Sequence, residues 1–358
     1  MPAKFRSLSR LKPPARILLA FCIGIAALAA IPRSLRAGDD PIAADRPLGP
    51  TRVAITIDDI PDHGDLLPDM TRMSLAQSLI GILKTNGVTQ ARGFTNGEFM
   101  DEHPEEIAIY KAWLAAGFPL GNHTYDHPNL NQVTVRYYIA NIAKQDRLLA
   151  TLSGFSPLIK DRRVFRYPYL DEGNTLKRRD AVRAYLAKNH YRIAEVTVDY
   201  FDWAWTDAYT RCLTQGDDKS MAWLKGHIVD SADRHLRSAN AISELLFKRR
   251  IPHILLIHDG SFDVRSLDAI LKQWRKEGVE FISLNEALAD PVYQINPNFA
   301  YGDGRNFLEQ IADGRHIEVG ARDDSIYTID RLNAVCQARP PSNPYPSPSF
   351  CRREKAPR

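Results

Sequence analysis

Val53-Ala54-Ile55-Thr56-Ile57-Asp58-Asp59-Ile60-Pro61 is an apolar run that stops at two adjacent carboxylates, as a buried strand does where it meets a loop. Six further apolar runs follow it, at Gly93–Thr95, Pro119–Asn122, Val164–Tyr167, Arg192–Thr197, Ile254–His258 and Glu280–Ser283. Helix-length amphipathic stretches lie between them, near 73–86, 104–116, 133–151, 175–188, 217–246 and 263–277. That alternation is the pattern of βα repeats with a parallel sheet. Seven units suggest an α/β fold of the distorted (β/α)7-type barrel kind rather than an open doubly wound sheet, which would give a similar string. The ends of the runs are more telling. Asp58-Asp59, His123, Arg166, Asp199/Asp202 and His258 stand at the C-terminal ends of runs one, three, four, five and six. In an α/β barrel those ends converge on one mouth, where active sites are built.

On either side of the expected barrel, residues 51–290, the composition changes. The first sixteen residues carry Lys4, Arg6, Arg10, Lys12 and Arg16 with no acid, and Ile17–Ile31 is apolar apart from small residues. This is a signal-peptide pattern, with Ala29 and Ala37 as candidate cleavage points. The apolar stretch falls short of the roughly 20 residues that span a bilayer, although an uncleaved N-terminal anchor is the other reading of residues 1–37. Cys22 belongs to that apolar segment. Export would place the mature chain in the periplasm or outside the cell, with membrane contact only through an uncleaved anchor. Residues 1–37 hold seven Lys or Arg and no Asp or Glu, so their removal takes the formal charge from +4 to −3. A nucleic-acid partner then has no electrostatic support. Residues 38–50 read as a linker. Pro291–Ala338 reads as a partly ordered tail, and Arg339–Arg358, rich in Pro and basic residues, as disordered. In an oxidising compartment Cys336 and Cys351 are close enough in sequence to pair. No cysteines show C-x-x-C spacing.

Side chains alternate along a strand, so Asp58 and Asp59 need not share a role. One can face a metal while the other reaches a water bound to it, as metal-assisted hydrolysis with a separate base requires. Alone, the pair could equally be a helix-capping loop. The third run ends Gly121-Asn122-His123-Thr124-Tyr125-Asp126-His127-Pro128, with two imidazoles four residues apart. Pro128 disfavours helical geometry at His127, so a loop turning back on itself is the better picture. Two histidines on a polar surface loop are the bland alternative. Two His and one Asp form a facial set that leaves positions open for water and substrate. Such a set suits zinc, and also other divalent first-row metals such as cobalt or nickel.

With these residues in place, the chain resembles the polysaccharide deacetylases (carbohydrate esterase family 4, the NodB-homology domain) over about Arg52 to Asp290. The family's T-F-D-D-G-P motif is matched by Thr56-Ile57-Asp58-Asp59-Ile60-Pro61, and its H-[ST]-x-x-H-P motif is intact from His123 to Pro128. Arg166-Tyr167-Pro168-Tyr169 matches R-x-P-Y, Asp199 to Trp203 matches D-x-x-D-W, and Leu256-Ile257-His258 matches L-x-H. The resemblance implies that Asp58 is the general base, that Asp59, His123 and His127 hold the metal, and that Arg166 orients the base. It further implies that Tyr169 offers its backbone N–H to the oxyanion, that His258 protonates the leaving group, and that Asp202 hydrogen-bonds His258 and raises its pKa. Singly, Arg166 would read as a surface ion pair, Tyr169 as a packed aromatic and Asp202 as a turn residue. Trp203 and Trp205 could stack on sugar rings at the mouth or fill the barrel rim. Ile60, where the family has glycine, and the Pro-, Asp- and Gly-rich stretch Pro61–Pro68 imply a groove entry of different shape.

The expected activity is metal-dependent removal of acetyl groups from a polysaccharide or oligosaccharide. The first choice is N-acetyl groups of an amino-sugar polymer such as peptidoglycan, a chitin-like chain or another exopolysaccharide. O-deacetylation of acetylxylan uses the same attack geometry and stays open. An inactive carbohydrate-binding envelope protein is disfavoured because acid, base and all three ligands are present. A cyclic-amide hydrolase is disfavoured by export and by the intact His-x-x-x-His motif. The sequence leaves the oligomeric state open.

Overall fold

The computed structural model describes residues 49–319 and 327–337. The expectations for residues 1–37, for Cys22 and Cys351 and for residues 339–358 lie outside the described residues, as does most of the 38–50 stretch. The elements are β1 (Arg52–His63), α1 (Arg72–Thr85), β2 (Arg92–Thr95), α2 (Phe99–Glu102), α3 (Ile107–Ala115), β3 (Leu120–Asn122), α4 (Val135–Ala150), β4 (Val164–Phe165) and α5 (Leu176–Lys188). There follow β5 (Arg192–Ile193), β6 (Val198–Asp199), α6 (Asp202–Gln215), α7 (Asp218–Phe247), β7 (His253–Gly260), α8 (Asp263–Lys276), β8 (Glu280–Ile282), α9 (Leu284–Leu288), α10 (Phe307–Gly314) and α11 (Ile329–Ala334). Side-chain caps start the helices: Thr71 and Ser74 form a capping box on α1, Thr175 caps α5 and Asp217 caps α7. Each satisfies an N–H that the first turn cannot pair internally.

Every strand pairing is parallel, and the strands run in the order β5-β4-β3-β2-β1-β7-β6, with β8 added to β1. The two ends of that order, β5 and β6, are consecutive in the chain. The fifth apolar run is therefore one broken strand: its first half pairs with β4 and its second half with β7. Between the halves, Ala194 N–H donates to Phe165 O at 2.8 Å and Thr197 N–H to Ile254 O at 3.0 Å. This run curls the sheet into the expected distorted (β/α)7-type barrel. β1 is central, with β7 along one edge and β8 and β2 sharing the other, β8 against Arg52–Ala54 and β2 against Thr56–Ile60. Its residues Val53, Ala54, Ile55 and Ile57 are buried in the main core with Ile254, Leu255 and Ile257 of β7.

Among the described residues, α2, α6, α9, α10 and α11 occupy positions for which no helix is expected above, and α6 is the longest of them. α6 buries Ala204, Trp205, Ala208, Tyr209 and Cys212 along one face, the i, i+4 spacing of an amphipathic helix. The stretch after residue 290 joins the barrel at several places. Phe307 at the start of α10 is fully buried, and its N–H donates to Val196 O of the broken strand at 2.7 Å. α11 docks on α6, and Cys336 just beyond it is disulfide-bonded to Cys212. The expected Cys336–Cys351 pair is therefore corrected: helix docking brings two cysteines 124 positions apart into bonding distance, and neighbourhood in sequence does not decide the partner. Among the described residues no helix is long and apolar enough to cross a membrane.

Candidate active site

β1 does not stop at its carboxylates. Its register with β2 shifts between Ile57 and Ile60, its register with β7 shifts between Asp58 and His63, and Asp59 has φ +63°. This is a β-bulge, a device that re-aims side chains where regular alternation would separate them. Asp58 and Asp59 both end up 2% exposed at the mouth. Ile60, the departure from the family motif, is fully buried against Gly93 of β2, where even a methyl group on Gly93 would stand 2.3 Å from its Cδ1.

The His123–Pro128 segment is a loop, with Thr124 at φ +65° and His127 at φ +51°. Asn96 Nδ2 donates to the carbonyls of His123 (2.7 Å) and Thr124 (3.1 Å), and Asn141 Oδ1 of α4 accepts from the N–H of Asp126 at 3.0 Å. So held, the loop turns both imidazoles onto one oxygen: Asp59 Oδ1 lies 3.3 Å from His123 Nε2 and 3.2 Å from His127 Nε2. Ligand atoms on a tetrahedral zinc shell with bonds of about 2.0–2.1 Å stand roughly 3.3 Å apart. Asp59 Oδ1 is buried with no hydrogen-bond donor in good geometry, a cost that a cation would remove. His123 Nδ1 donates to Arg166 O at 2.9 Å, which leaves the Nε2 lone pair facing Asp59. That backbone bond is the usual outer support of a metal-binding histidine. Burial pushes the His127 imidazole down to about 3, keeping it neutral as a ligand must be. Burial would raise the Asp59 carboxyl, but the surrounding imidazoles, His127 first, hold it well below the usual range. The three residues fit a divalent cation.

Arg166, 1% exposed, reaches across the barrel from the end of β4. Its Nη1 donates to both oxygens of Asp58 at 3.2 and 3.0 Å, Nη2 to Thr56 Oγ1 at 2.9 Å, and Nε to Ala194 O at 2.7 Å. Its guanidinium also lies over the Phe94 ring, 4.8 Å from the centroid. Asp58 is thereby held beside the Asp59–His123–His127 trio, 3.6 Å from His123 Nε2. Tyr169 and Leu170 follow in a turn with φ +58° and +53°. The Tyr169 ring stands edge-on to His127 with centroids 4.5 Å apart. Behind the turn lies the tail: a methyl group on Gly304 would stand 1.8 Å from the Tyr169 carbonyl oxygen, and Asn131 Nδ2 bridges Asp171 Oδ2 (2.6 Å) to Gly302 O (3.3 Å). Asp59, Thr124, His127, Tyr169, Leu170 and Phe201 all have φ between 51° and 65°. Left-handed backbone costs on the order of 1–3 kcal/mol at a non-glycine residue and gathers where a site needs it.

On the opposite wall, His258 is the β7 partner of Asp58. Asp202, fully buried in the first turn of α6, accepts from the His258 backbone N–H at 2.6 Å and lies 3.0 Å from its Nδ1. Burial disfavours the His258 cation, but the Asp202 carboxylate overrides it and lifts the imidazole to about 10. Asp263, at the start of α8, is buried beside Asp202; burial first, and that neighbouring charge second, raise its carboxyl well above the usual range. Trp205 is fully buried and stacks on Trp223, with centroids 6.1 Å apart. It fills the core, so its expected sugar contact is corrected. Trp203 is half-buried against the same core.

Two residues at the site went unforeseen. Asp263 carries no motif. His63 stands four residues after Asp59, with Nδ1 2.7 Å from Asp59 Oδ2 and its ring 4.5 Å from that of His258. The repeated four-residue spacing was a signal, but a lone histidine beside Gly64 gives no reason to expect the chain to return.

Residues 45–194 match the family model described as polysaccharide deacetylase, a span that includes β1 through β5. The peptidoglycan-N-acetylglucosamine deacetylase of Bacillus cereus is 26% identical over 238 residues, 66% of this chain and 68% of that protein. Among solved structures, a CE4 family pseudoenzyme from Bacillus anthracis is 17% identical with a TM-score of 0.45, over 68% of this chain and 70% of that one. The chitin deacetylase of the fungal pathogen Colletotrichum lindemuthianum is 22% identical with a TM-score of 0.44, over 67% and 88%. The family model and the Bacillus cereus relative together place the likeness to polysaccharide deacetylases at residues 45–194 and support a hydrolase, a carbohydrate deacetylase.

Proposed function

We propose that the chain hydrolyses N-acetyl groups on an exported amino-sugar polymer, such as peptidoglycan, a chitin-like chain or another exopolysaccharide. The observation that carries this reading is the convergence of Asp58, Asp59, His123, His127 and His258 on one barrel mouth. A divalent cation held by Asp59, His123 and His127, with zinc preferred to cobalt or nickel, would polarise the acetyl carbonyl and lower the pKa of the attacking water.

Asp58, aimed by its two bonds from Arg166, takes a proton from that water. Such a positioned base contributes about 10² to 10⁴ in rate. Tyr169 N–H is assigned to the oxygen that becomes negative as the carbonyl turns tetrahedral, where one donor is worth about 10² to 10³. His258, protonated through Asp202, gives its proton to the leaving nitrogen, so the C–N bond breaks to acetate and a free amine. The Cys212–Cys336 disulfide supports the export in this reading, because such bonds persist in oxidising compartments.

The test is acetate release by the zinc-loaded protein from N-acetylglucosamine oligomers and from acetylxylan. Release from the oligomers, lost on chelation and reduced by about 10² or more in Asp58→Asn, is the expected result. Preference for acetylxylan would replace amide with ester chemistry. Bound zinc with no acetate from either polymer would favour a binding protein.

A further inference from the structure

We infer that His63 is a positioning residue for the metal: it fixes the Asp59 carboxylate from behind, so that Oδ1 faces the ion. The inference rests on the metal reading above and goes beyond it, since His63 lies outside the five motifs that carry the family resemblance.

Distances separate the two jobs an imidazole could do here. Asp59 Oδ1 stands 3.3 and 3.2 Å from the ring nitrogens of His123 and His127, the spacing of atoms that share an ion. Asp59 Oδ2 stands 2.7 Å from His63 Nδ1. That is too short for two ligands on one zinc-sized ion and is the length of a charge-assisted hydrogen bond. His63 thus donates Nδ1–H to the oxygen that the ion does not use. The carboxylate is spread between two tasks, one oxygen forward and one back.

The backbone is built for this. After the bulge at Asp58–Asp59, β1 resumes its ladder with β7 by pairing His63 with Gly260, two residues beyond His258. Gly64 follows at φ +75° and turns the chain away. Ile60, in the position of the family's glycine, is locked over Gly93. The replacement that the sequence presents as a departure therefore sits inside a longer strand that carries an imidazole back to the site. The His63 ring also packs on His258, 4.5 Å between centroids with a 42° tilt, so one side chain touches both the ligand carboxylate and the residue assigned as acid. Its side chain is 16% exposed.

Outer partners of this kind are worth about 10- to 100-fold in metal affinity. The experiment measures zinc affinity of the full chain, without substrate, by competition with a chromophoric chelator. It compares wild type with His63→Ala and His63→Asn, folding being checked by circular dichroism. Asparagine places an amide N–H close to the position of Nδ1. The expected result is a 10- to 100-fold loss in His63→Ala and recovery of most of it in His63→Asn. Cobalt-loaded His63→Asn should keep the visible absorption of wild type, since no ligand has changed. Equal affinity in wild type and His63→Ala overturns the inference and leaves the metal reading intact. Loss in both variants with an altered cobalt spectrum overturns it in favour of direct ligation. A wild type that binds no zinc overturns both readings. If His63→Ala fails to fold, His63→Phe, which keeps a ring of similar size and lacks the donor, takes its place: a 10- to 100-fold loss is expected, and affinity equal to wild type overturns the inference.

Discussion

At the scale of single residues, the carboxylates of the site face different kinds of partner. Asp58 faces Arg166, Asp59 faces the imidazoles and Asp202 faces His258. Carboxylates and histidines packed this closely would otherwise exchange protons with one another and lose distinct roles. The Asp202–His258 pair sets a pH dependence whose sign follows from its direction. The imidazole is raised from an unfolded value near 6.5 to about 10. Its contribution to stability is therefore complete below about 6.5 and is lost as pH rises through about 10. In the proposed role of acid it must be protonated, so activity should fall on that same alkaline side. Asp202→Asn removes the charge that sustains the cation. The alkaline limb of kcat/KM should then move to lower pH, with a rate loss of about 10² or more at pH 8. A pH–rate profile checks this; a limb that stays in place in the variant would remove Asp202 from the role.

At the scale of elements, the loops at the mouth owe their shape to neighbours far away in the chain. The Tyr169–Leu170 turn is strained, and what backs it is Gly304, more than 130 positions on, in the stretch that sequence patterning reads as tail. No φ forbids a side chain at Gly304; the 1.8 Å approach to the Tyr169 oxygen does. Gly304→Ala should push the turn out of place. A shift of about 1 Å near reacting groups costs about 10² in rate. The expected outcome is a fall in kcat that exceeds any change in zinc affinity, because the turn reaches His127 through the packing of the Tyr169 ring. Steady-state kinetics with a parallel zinc titration reads it, and an unchanged kcat would separate the tail from the chemistry. The His123–Pro128 loop behaves in the same way. Pro128 excludes a helix at His127, as the sequence predicts, but Asn96 and Asn141 choose which loop forms.

At the scale of the whole molecule, the barrel is closed by one broken strand and fastened by one covalent bond. The Cys212–Cys336 disulfide spans 124 positions and ties α11 to α6, the helix whose first residue holds His258. A loop that long should add about 2–4 kcal/mol, so reductant should lower the thermal midpoint by several degrees. Scans with and without reductant test this, and coincident midpoints would count against it. The strand runs, the order of βα units and the chemistry at their ends were legible because buried strands and amphipathic helices write their period into the chain. The intact His123–Pro128 motif likewise points to paired imidazoles from the sequence alone. Other features were not legible, among them the bulge that turns Asp58 and Asp59 to the same side, the return of His63, the place of Asp263, helix α6, the burial of Trp205 and the choice of Cys212 as the partner of Cys336. Each depends on which surfaces meet after the chain has closed, and spacing along one strand carries no record of distance across a barrel. By itself the sequence determined the architecture and the residue types available for catalysis. Only the tertiary structure decided their partners, because hydrogen bonds, ion pairs and disulfides depend on separation in space, which the packed core sets.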